Sequence, residues 1–329
     1  MHHRRRRDGN RLVMMGVVAV LFVAVVIFAV LVGRELFAGG QQPVETPDNG
    51  GEIITPAKKF ETAEITVTTA DVHTGDLILI NEANPYVFPE SSPELVAIVN
   101  NRASHGTSAS GNPIYSYYTQ NGIDRCAKME KTTLAIFQEW TDAFYAATGN
   151  SDLFVFDEDG YRSFDDQAAK PSSKYAAPGA TEHHTGKVID LYVYTGKVMG
   201  EIDDEGFAHI FGWIYKNAYK YGFINRYPAE KLAVTGVDYE PYHFRYVGYP
   251  HAYYMYKNNL CLEEYLSALQ GTTYEAPLEF KADDGAKYMV YYFPADAAET
   301  TKLTVPAEYT YTVSGDNMGG FIVTVKVGK

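Results

Sequence analysis

Apolar residues recur along most of the chain with two periods, one typical of helices and one typical of strands. Over residues 128–148 they lie three or four positions apart, which predicts an amphipathic helix. The same spacing predicts helices over residues 205–221 and 262–269. Gly222 stands where the C-terminal cap of the helix over residues 205–221 is expected. The middle of the chain is therefore predicted to contain three helices.

Runs of alternating or continuously apolar residues predict strands before and between these helices. The clearest runs cover residues 64–68, 76–81, 152–156 and 187–194. From residue 271 onward, apolar runs and turn residues follow one another without a helix, which predicts a β-rich appendage over residues 271–329. Because strands and helices are segregated, we expect an α+β fold with a small antiparallel or mixed sheet and flanking helices.

A long uncharged segment near the N-terminus predicts a transmembrane helix. Residues 12–33 carry no charged side chain, and a helix of this length spans about 33 Å, enough to cross a bilayer. Five arginines lie within residues 1–11, so the positive-inside rule places this basic tail in the cytoplasm and the bulk of the chain outside the cell membrane. A cleaved signal peptide is the alternative, but the apolar run is long and no small residue stands two positions before Ala38. We therefore expect a single-pass signal anchor.

The segment after the anchor leads into an acidic outer part. Residues 34–56 are rich in Gly, Pro and polar side chains, as in a flexible linker, and residues 57–270 are long enough for one domain. The whole chain has a net charge of −13, and because residues 1–34 carry +5, the outer part carries −18. Such an acidic part is not expected to bind nucleic acid or anionic lipid through bulk electrostatics.

Two cysteines, Cys126 and Cys261, allow at most one disulfide in the oxidising environment outside the membrane. The alternative is a pair of buried thiols, and the sequence does not place the two residues within bonding distance. Their wide separation excludes a Cys-x-x-Cys zinc cluster.

Two short segments contain the residue types that hold a catalytic zinc ion. His183 and Asp190 lie seven positions apart, and Gly186 between them allows the chain to bend so that the two side chains converge. Asp190 stands within an apolar run, where an uncompensated carboxylate is costly to bury. A metal ion would compensate this charge, but an arginine would do so too, and an aspartate at a sheet edge could instead face water.

Glu240 and His243 offer a base and a third ligand. They lie three positions apart with Pro241 between them, and in an extended strand they share a face only if the strand bulges. His243 could also be a packed core histidine, and His184 is expected to be a loop side chain and not a second ligand. The helical zinc signature His-Glu-x-x-His is absent from the sequence.

Arg162 follows an acidic turn, and Gln167 comes five positions later. A guanidinium matches a carboxylate through two parallel hydrogen bonds, so Arg162 is a candidate for binding a carboxylate. A salt bridge to one of the nearby acids is the alternative.

Four blocks of the chain, in order and with similar spacing, resemble the VanY-type D-alanyl-D-alanine carboxypeptidases. The blocks are Tyr161-Arg162-Ser163 with Gln167, Pro178-Gly179-Ala180-Thr181-Glu182-His183-His184-Thr185-Gly186 with Asp190, Tyr221-Gly222-Phe223-Ile224 with Arg226-Tyr227-Pro228, and Thr235-Gly236 with Tyr239-Glu240-Pro241-Tyr242-His243-Phe244-Arg245-Tyr246-Val247-Gly248. This family comprises zinc peptidases of the cell wall and is related in fold to the hedgehog zinc domain and the LytM-type endopeptidases. The linker and the β-rich appendage lie outside these most diagnostic blocks.

The resemblance implies a zinc peptidase, with one Zn²⁺ per chain, that removes the last D-alanine from peptidoglycan stem peptides ending in D-Ala-D-Ala. By this resemblance the zinc ligands are His183, Asp190 and His243, the catalytic base is Glu240, the carboxylate-binding residue is Arg162, and further substrate contacts are Gln167, Thr181 and Tyr242. The chain departs from the usual family pattern with Thr181 in place of serine and Tyr242 in place of tryptophan. Both changes keep the chemical type and concern the fit of the substrate, not metal binding.

Four alternatives compete with this interpretation. A serine penicillin-binding enzyme needs Ser-x-x-Lys, and no serine in the chain is followed three positions later by lysine. An L,D-carboxypeptidase acting on tetrapeptides stays open, whereas an endopeptidase is disfavoured because Arg162 suits a free carboxylate. A zinc-containing wall-binding module without turnover is disfavoured by Glu240, since a structural zinc site has no use for a base.

Overall fold

A computed structural model describes residues 60–121 and 125–328 of the chain. The predicted basic tail (1–11), membrane anchor (12–33) and linker (34–56) lie outside these residues. Within the described ranges, no helix is both long enough and apolar enough to cross a bilayer.

Six α-helices and fifteen short strands occur in the described part of the chain. The helices are α1 (Lys131–Thr148), α2 (Phe164–Ala168), α3 (Ala208–Asn217), α4 (Leu232–Thr235), α5 (Tyr249–Asn258) and α6 (Leu262–Leu269). The strands are β1 (Thr62–Thr68), β2 (Leu95–Ala97), β3 (Tyr117–Thr119), β4 (Lys128–Glu130), β5 (Leu153–Val155), β6 (Val188–Asp190), β7 (Tyr192–Thr195), β8 (Val198–Gly200), β9 (Phe223–Tyr227), β10 (Glu240–Tyr246), β11 (Leu278–Lys281), β12 (Lys287–Pro294), β13 (Thr300–Pro306), β14 (Tyr311–Gly315) and β15 (Gly320–Gly328). They form a mixed α/β fold with small sheets and several helices.

The helix predicted over residues 128–148 exists but begins later than predicted. α1 starts at Lys131, because the Glu130 carboxylate accepts hydrogen bonds from the backbone N–H groups of Thr132 and Thr133 and so caps the helix. The residues before this cap are extended and pair with β2 as β4. Apolar spacing alone does not detect such a cap.

The other two helix predictions are confirmed with adjusted ends. α6 covers the predicted residues, and the segment predicted over 205–221 is α3 followed by a 3-10 turn, Ala218–Tyr221. Gly222 ends that turn in the left-handed conformation, with φ of 75°. The C-terminal cap predicted at this glycine is therefore confirmed.

The strand predicted over residues 187–194 divides into two strands that belong to different sheets. β6 pairs with β10 in a three-stranded sheet of order β6-β10-β9, and β7 pairs with β5 and β8 in another sheet. Leu191 lies between them, and its N–H donates to the Tyr242 carbonyl at 2.9 Å. Asp190 is thus the last residue of β6, at the point where the chain leaves the three-stranded sheet.

Residues 76–81 form no strand, so this prediction is wrong. Part of the segment is buried, but its backbone groups bond outside any strand ladder. The Leu79 N–H donates to the Asp316 carbonyl at 3.0 Å, and the Arg245 guanidinium donates to two carbonyls of the segment at 3.1 and 3.3 Å. The apolar run predicts burial correctly, but the partners come from distant parts of the chain.

The three-stranded sheet is fixed from one side by α1. Trp140 of α1 stacks on Phe223 of β9 with ring centroids 5.0 Å apart and meets Phe244 of β10 edge-on at 5.2 Å. All three side chains are fully buried, and Cys126 lies in the same core cluster. This packing holds rigid the sheet that carries Asp190 and His243.

The strands predicted after residue 270 are confirmed. Four of them form a sheet of order β11-β12-β15-β14, while β13 pairs along its whole length with β1. Leu266 of α6 belongs to one buried cluster with Val290 and Ile322 of the sheet. The division of the outer chain into domains over residues 57–270 and 271–329 stays a prediction.

Candidate metal centre and active site

His183 reaches the site from a short 3-10 helix whose ends the local sequence determines. The helix covers Glu182–Thr185, and the hydroxyl of Thr181 accepts a hydrogen bond from the His183 N–H at 3.4 Å. Gly186 ends the helix with φ of 70°, and a Cβ at this position would meet a neighbouring side chain at 2.9 Å. The chain then enters β6 directly, so the bend predicted at Gly186 brings His183 close to Asp190.

A β-bulge in β10 places Glu240 and His243 beside each other. The pairing of β10 with β9 shifts its register between Glu240 and Phe244. As a result, Glu240 Oε2 lies 3.4 Å from His243 Nδ1. On the other side of β10, His243 stands in register with Asp190 of β6. The condition for a shared face, a bulge in the strand, is therefore met.

His183, Asp190 and His243 form one buried cluster of side chains that can hold a metal ion. His183 Nε2 lies 3.3 Å from Asp190 Oδ2, and His243 Nδ1 lies 3.0 Å from Asp190 Oδ1. One ligand atom from each residue lies within 4.8 Å of the other two. No second cluster of this kind occurs within residues 60–121 and 125–328.

The donor set and its hydrogen bonding fit a divalent cation. Two imidazoles and a carboxylate are ligand types that zinc uses in catalytic sites. His183 Nδ1 is hydrogen-bonded to the Gly160 carbonyl at 2.6 Å, so its Nε2 is left to face the cluster. Asp190 Oδ1 is buried and lies 3.0 Å from His243 Nδ1, but no hydrogen bond of good geometry joins the two atoms. A cation among the three side chains would satisfy this oxygen.

The electrostatics of the cluster place an ionised carboxylate between two histidines. Burial acts to raise the pKa of Asp190, but the two histidines hold that pKa well below its usual range. Burial lowers the pKa of His183 to about 4, so this imidazole is neutral at neutral pH. Burial also acts to lower the pKa of His243, but Asp190 and Glu182 outweigh it and raise this pKa to about 9. A bound metal ion would replace the proton on His243.

The cluster opens into a cavity of about 1080 Å³, which is large enough for a peptide. The cavity lining contains all the residues assigned to the site from the sequence, namely Arg162, Gln167, Thr181, His183, Asp190, Glu240, Tyr242 and His243. Burial raises the pKa of Glu240, which moves this carboxylate toward the range of a general base at neutral pH.

Arg162 lies beside the metal cluster and is itself buried. Its Nε donates to the Glu158 carbonyl at 2.8 Å, and its Nη2 donates to Asp190 Oδ2 at 3.3 Å. The alternative in which an arginine compensates Asp190 is therefore also present in the structure. Because Arg162 still lines the cavity, the guanidinium is held in place for an anion that enters it.

The three remaining site residues line other parts of the cavity wall. Gln167 Nε2 donates to the Ala176 carbonyl at 2.7 Å, while its Oε1 is buried without a hydrogen-bond partner. Tyr242 stacks on Tyr192, with ring centroids 5.0 Å apart and an interplanar angle of 22°. This pair forms the aromatic wall expected at Tyr242, and Thr181 contributes the hydroxyl that begins the helix of His183.

His184 does not belong to the metal cluster, but it is buried and is not an exposed loop side chain. Its Nδ1 is hydrogen-bonded to the Arg162 carbonyl at 2.7 Å, and its Nε2 accepts from the Gly179 N–H at 3.0 Å. The ring therefore fixes the backbone of Arg162 against the loop that precedes the 3-10 helix.

A buried group of charges that was not predicted from the sequence lies behind the ligands. Glu182 Oε1 lies 2.9 Å from Arg226 Nε and 3.3 Å from Arg245 Nη1, and all three side chains are buried. Glu182 Oε2 lies 3.7 Å from His243 Nε2. The two arginines stand within the apolar strands β9 and β10, where a charged residue indicates a buried partner. That pattern is the feature of the sequence that points to these residues.

Comparison with known proteins gives matches that include the part of the chain carrying the site. Residues 128–249 match the family model described as VanY, D-alanyl-D-alanine carboxypeptidase. A D-alanyl-D-alanine carboxypeptidase of Enterococcus faecium is 33% identical over 292 residues, which cover 88% of this chain and 85% of the relative.

Two solved structures are also similar to this chain. The vancomycin-resistance D,D-dipeptidase VanXYg, in complex with a phosphinate analogue of D-Ala-D-Ala, is 25% identical with a TM-score of 0.65, covering 81% of this chain and 99% of that one. A mutant of the D,D-pentapeptidase VanY from a VanB-type resistance cassette, in complex with Zn(II), is 27% identical with a TM-score of 0.40, covering 58% of this chain and 98% of that one.

Proposed function

The chain belongs to the VanY-type D-alanyl-D-alanine carboxypeptidase family, and from this premise we propose that it is a zinc peptidase that removes the C-terminal D-alanine from peptidoglycan stem peptides. The observation that carries the proposal is the convergence in one cavity of three ligands, a carboxylate base and an arginine. The complex of VanXYg with an analogue of D-Ala-D-Ala supports this substrate.

We infer a separate task for each of these groups. A zinc ion held by His183, Asp190 and His243 would polarise the scissile carbonyl and acidify the attacking water. Glu240 lies 3.4 Å from the nearest ligand nitrogen, close enough to take the proton from that water and return it to the leaving amine. Arg162 would bind the terminal carboxylate, so that only the last peptide bond reaches the ligands.

We infer that the enzyme acts outside the membrane, anchored by residues 12–33 with its N-terminus in the cytoplasm. The inference rests on the uncharged run and the five arginines that precede it. The product, a stem tetrapeptide, lacks the D-Ala-D-Ala bond that D,D-transpeptidases cleave in the donor peptide during cross-linking. Protease added to intact protoplasts should remove a C-terminal tag and leave an N-terminal tag, and the reverse pattern would exclude this orientation.

The function is tested by incubating the detergent-solubilised full chain with a synthetic stem pentapeptide ending in D-Ala-D-Ala. We expect mass spectrometry to show the loss of a single alanine, its arrest by a zinc chelator, and its recovery when zinc is added back. Trimming of a tetrapeptide, with no cleavage of the pentapeptide, would instead identify an L,D-carboxypeptidase. A zinc-loaded protein inert toward both peptides would be a non-catalytic wall-binding module.

Arg162→Lys is expected to weaken recognition of the terminal carboxylate while leaving zinc in place. Lysine keeps the positive charge but loses the two-pronged geometry, so kcat/KM for the pentapeptide should fall about 10- to 100-fold. The same substitution at Arg102, whose guanidinium stacks on Tyr115 outside the cavity, is the matched control and should change kcat/KM less than about twofold.

A pentapeptide with an amidated C-terminus separates carboxylate recognition from general damage to the site. The unmodified protein should prefer the free acid, and Arg162→Lys should lose most of that preference. If the two proteins prefer the free acid equally, Arg162 does not bind the terminal carboxylate.

A further inference from the structure

One wall of the cavity is a turn that belongs to no sheet. Residues 80–83 line the cavity, and the backbone N–H groups of Asn81 and Asn84 each donate to the other's carbonyl at 3.2 Å. Glu82 and Ala83, at the tip, are exposed. Because residues 76–81 have no strand partner, the position of this turn depends on the contacts at its two ends.

The side chain of Asn317 holds both ends of the turn together. Its Nδ2 lies 2.8 Å from the carbonyl oxygen of Leu79, which precedes the turn. The same nitrogen lies 3.1 and 3.2 Å from the carbonyl oxygens of Asn84 and Pro85, which follow the turn. Its Oδ1 lies 2.6 Å from His73 Nδ1. One buried carboxamide therefore closes the turn at its base.

Asn317 is itself held at the tip of the hairpin that joins β14 and β15. The preceding residue, Asp316, accepts three backbone hydrogen bonds on Oδ1 from the next N–H groups of the tip, at 2.7, 2.9 and 2.9 Å. Asn317 has φ of 61°, a conformation that asparagine adopts more readily than most residues. Ser314 Oγ accepts from the Leu77 N–H at 2.9 Å, a second contact of the hairpin with the same segment.

Beyond the turn, the segment contacts the loop that precedes the helix of the metal ligand His183. The Tyr86 N–H donates to the Gly179 carbonyl at 2.7 Å, just before the Thr181 cap. The Tyr86 ring stacks near His184 with centroids 6.0 Å apart. The contacts therefore run from the C-terminal hairpin, through the cavity wall, to the ligand-bearing helix.

We propose that Asn317 is a positioning residue for the active-site cleft, and that the C-terminal strands, through it, set the recognition of the stem peptide upstream of D-Ala-D-Ala. The inference rests on the proposed function, in which Arg162 and the metal ligands hold only the terminal dipeptide. The cavity of about 1080 Å³ exceeds what a dipeptide fills, and the wall at residues 80–83 is available to the residues before it.

The test uses Asn317→Gly in the full-length protein, because glycine accepts the positive φ and removes only the side-chain hydrogen bonds. We expect kcat/KM for the stem pentapeptide to fall about tenfold, mainly through KM, and kcat/KM for N-acetyl-D-Ala-D-Ala to change less than about twofold. The matched control is Asn259→Gly, which also has a positive φ, 50°, at the end of α5. Equal losses on both substrates, or no loss on the pentapeptide, would overturn the inference.

Hydrogen exchange gives a second measurement that does not depend on activity. In Asn317→Gly, amides of residues 77–86 should exchange faster than in the unmodified protein, with the segment around Asp190 unchanged. If this variant does not fold, Ser314→Ala removes the acceptor of the Leu77 N–H together with a local bond to the Gly315 carbonyl, and should give a smaller change in the same direction. Unchanged exchange in residues 77–86 would overturn the inference, whereas an unmodified protein inert toward both peptides would overturn the proposed function instead.

Discussion

Glu240→Gln is expected to lower kcat for the stem pentapeptide about 10²- to 10⁴-fold, the range for loss of a general base. The amide keeps the size of the side chain but cannot take a proton from water. The three ligands are untouched, so the variant should still bind one zinc ion per chain. Steady-state kinetics together with metal analysis of the purified variant measure both quantities.

The control for this substitution is Glu279→Gln in β11, where the side chain is exposed and lies outside the cavity lining. Its kcat should match that of the unmodified protein. Full activity in a Glu240→Gln protein that holds stoichiometric zinc would refute the assignment of the base. Loss of zinc with activity would show that Glu240 contributes to the metal site.

Glu182→Gln is expected to lower the free energy of unfolding by about 3–5 kcal/mol, the cost of removing one partner from a buried ion pair. Arg226 would retain Glu263, whose carboxylate oxygens lie 2.6 and 2.9 Å from its terminal nitrogens. Arg245, fully buried, would lose the carboxylate that lies 3.3 Å from its Nη1. Because glutamine has nearly the same volume, the loss reflects the charge and not a cavity.

Urea denaturation measures this loss, with chelator present so that metal binding does not contribute to the free energy of unfolding. The matched control is Glu94→Gln, which removes the carboxylate of an exposed pair with Lys131, 2.9 Å apart. Exposed pairs contribute at most about 1 kcal/mol, so the control should be close to the unmodified protein. Equal losses at the two positions would show that Glu182 is not the partner on which the buried arginines depend.

Two buried carboxylates, Asp190 and Glu182, face the candidate metal ligands from different sides. Asp190 faces both histidines, while Glu182 approaches His243 from the opposite side, 3.7 Å from its Nε2. A carboxylate behind a ligating histidine commonly orients the ring toward the metal. We therefore expect the Glu182 carboxylate both to stabilise the fold and to orient the His243 ring.

Much of the architecture follows from local patterns in the sequence. The apolar spacing of 128–148 and 262–269 identifies α1 and α6, because one buried face recurs every three or four residues in a helix. Gly186 and Gly222 mark turns for a similar local reason, since a left-handed backbone favours glycine. The segments that supply His183, Asp190 and His243 are also recognisable from sequence, because resemblance to a family preserves residue types and their spacing.

How these segments meet could not be predicted from local patterns, because it depends on contacts between distant parts of the chain. Whether Glu240 and His243 share a face depended on a bulge in β10, which is seen only in its pairing with β9.

The apolar run at 76–81 indicated burial correctly, yet its hydrogen-bond partners lie elsewhere in the chain. They are Arg245 and the hairpin at Asp316, and this hairpin lies more than 200 positions away from the run. From the sequence we could predict which faces are apolar and which side chains are candidates for the chemistry, because both are local properties. The partners of buried polar groups were decided by the folded chain, because any distant donor or acceptor of suitable geometry can satisfy them.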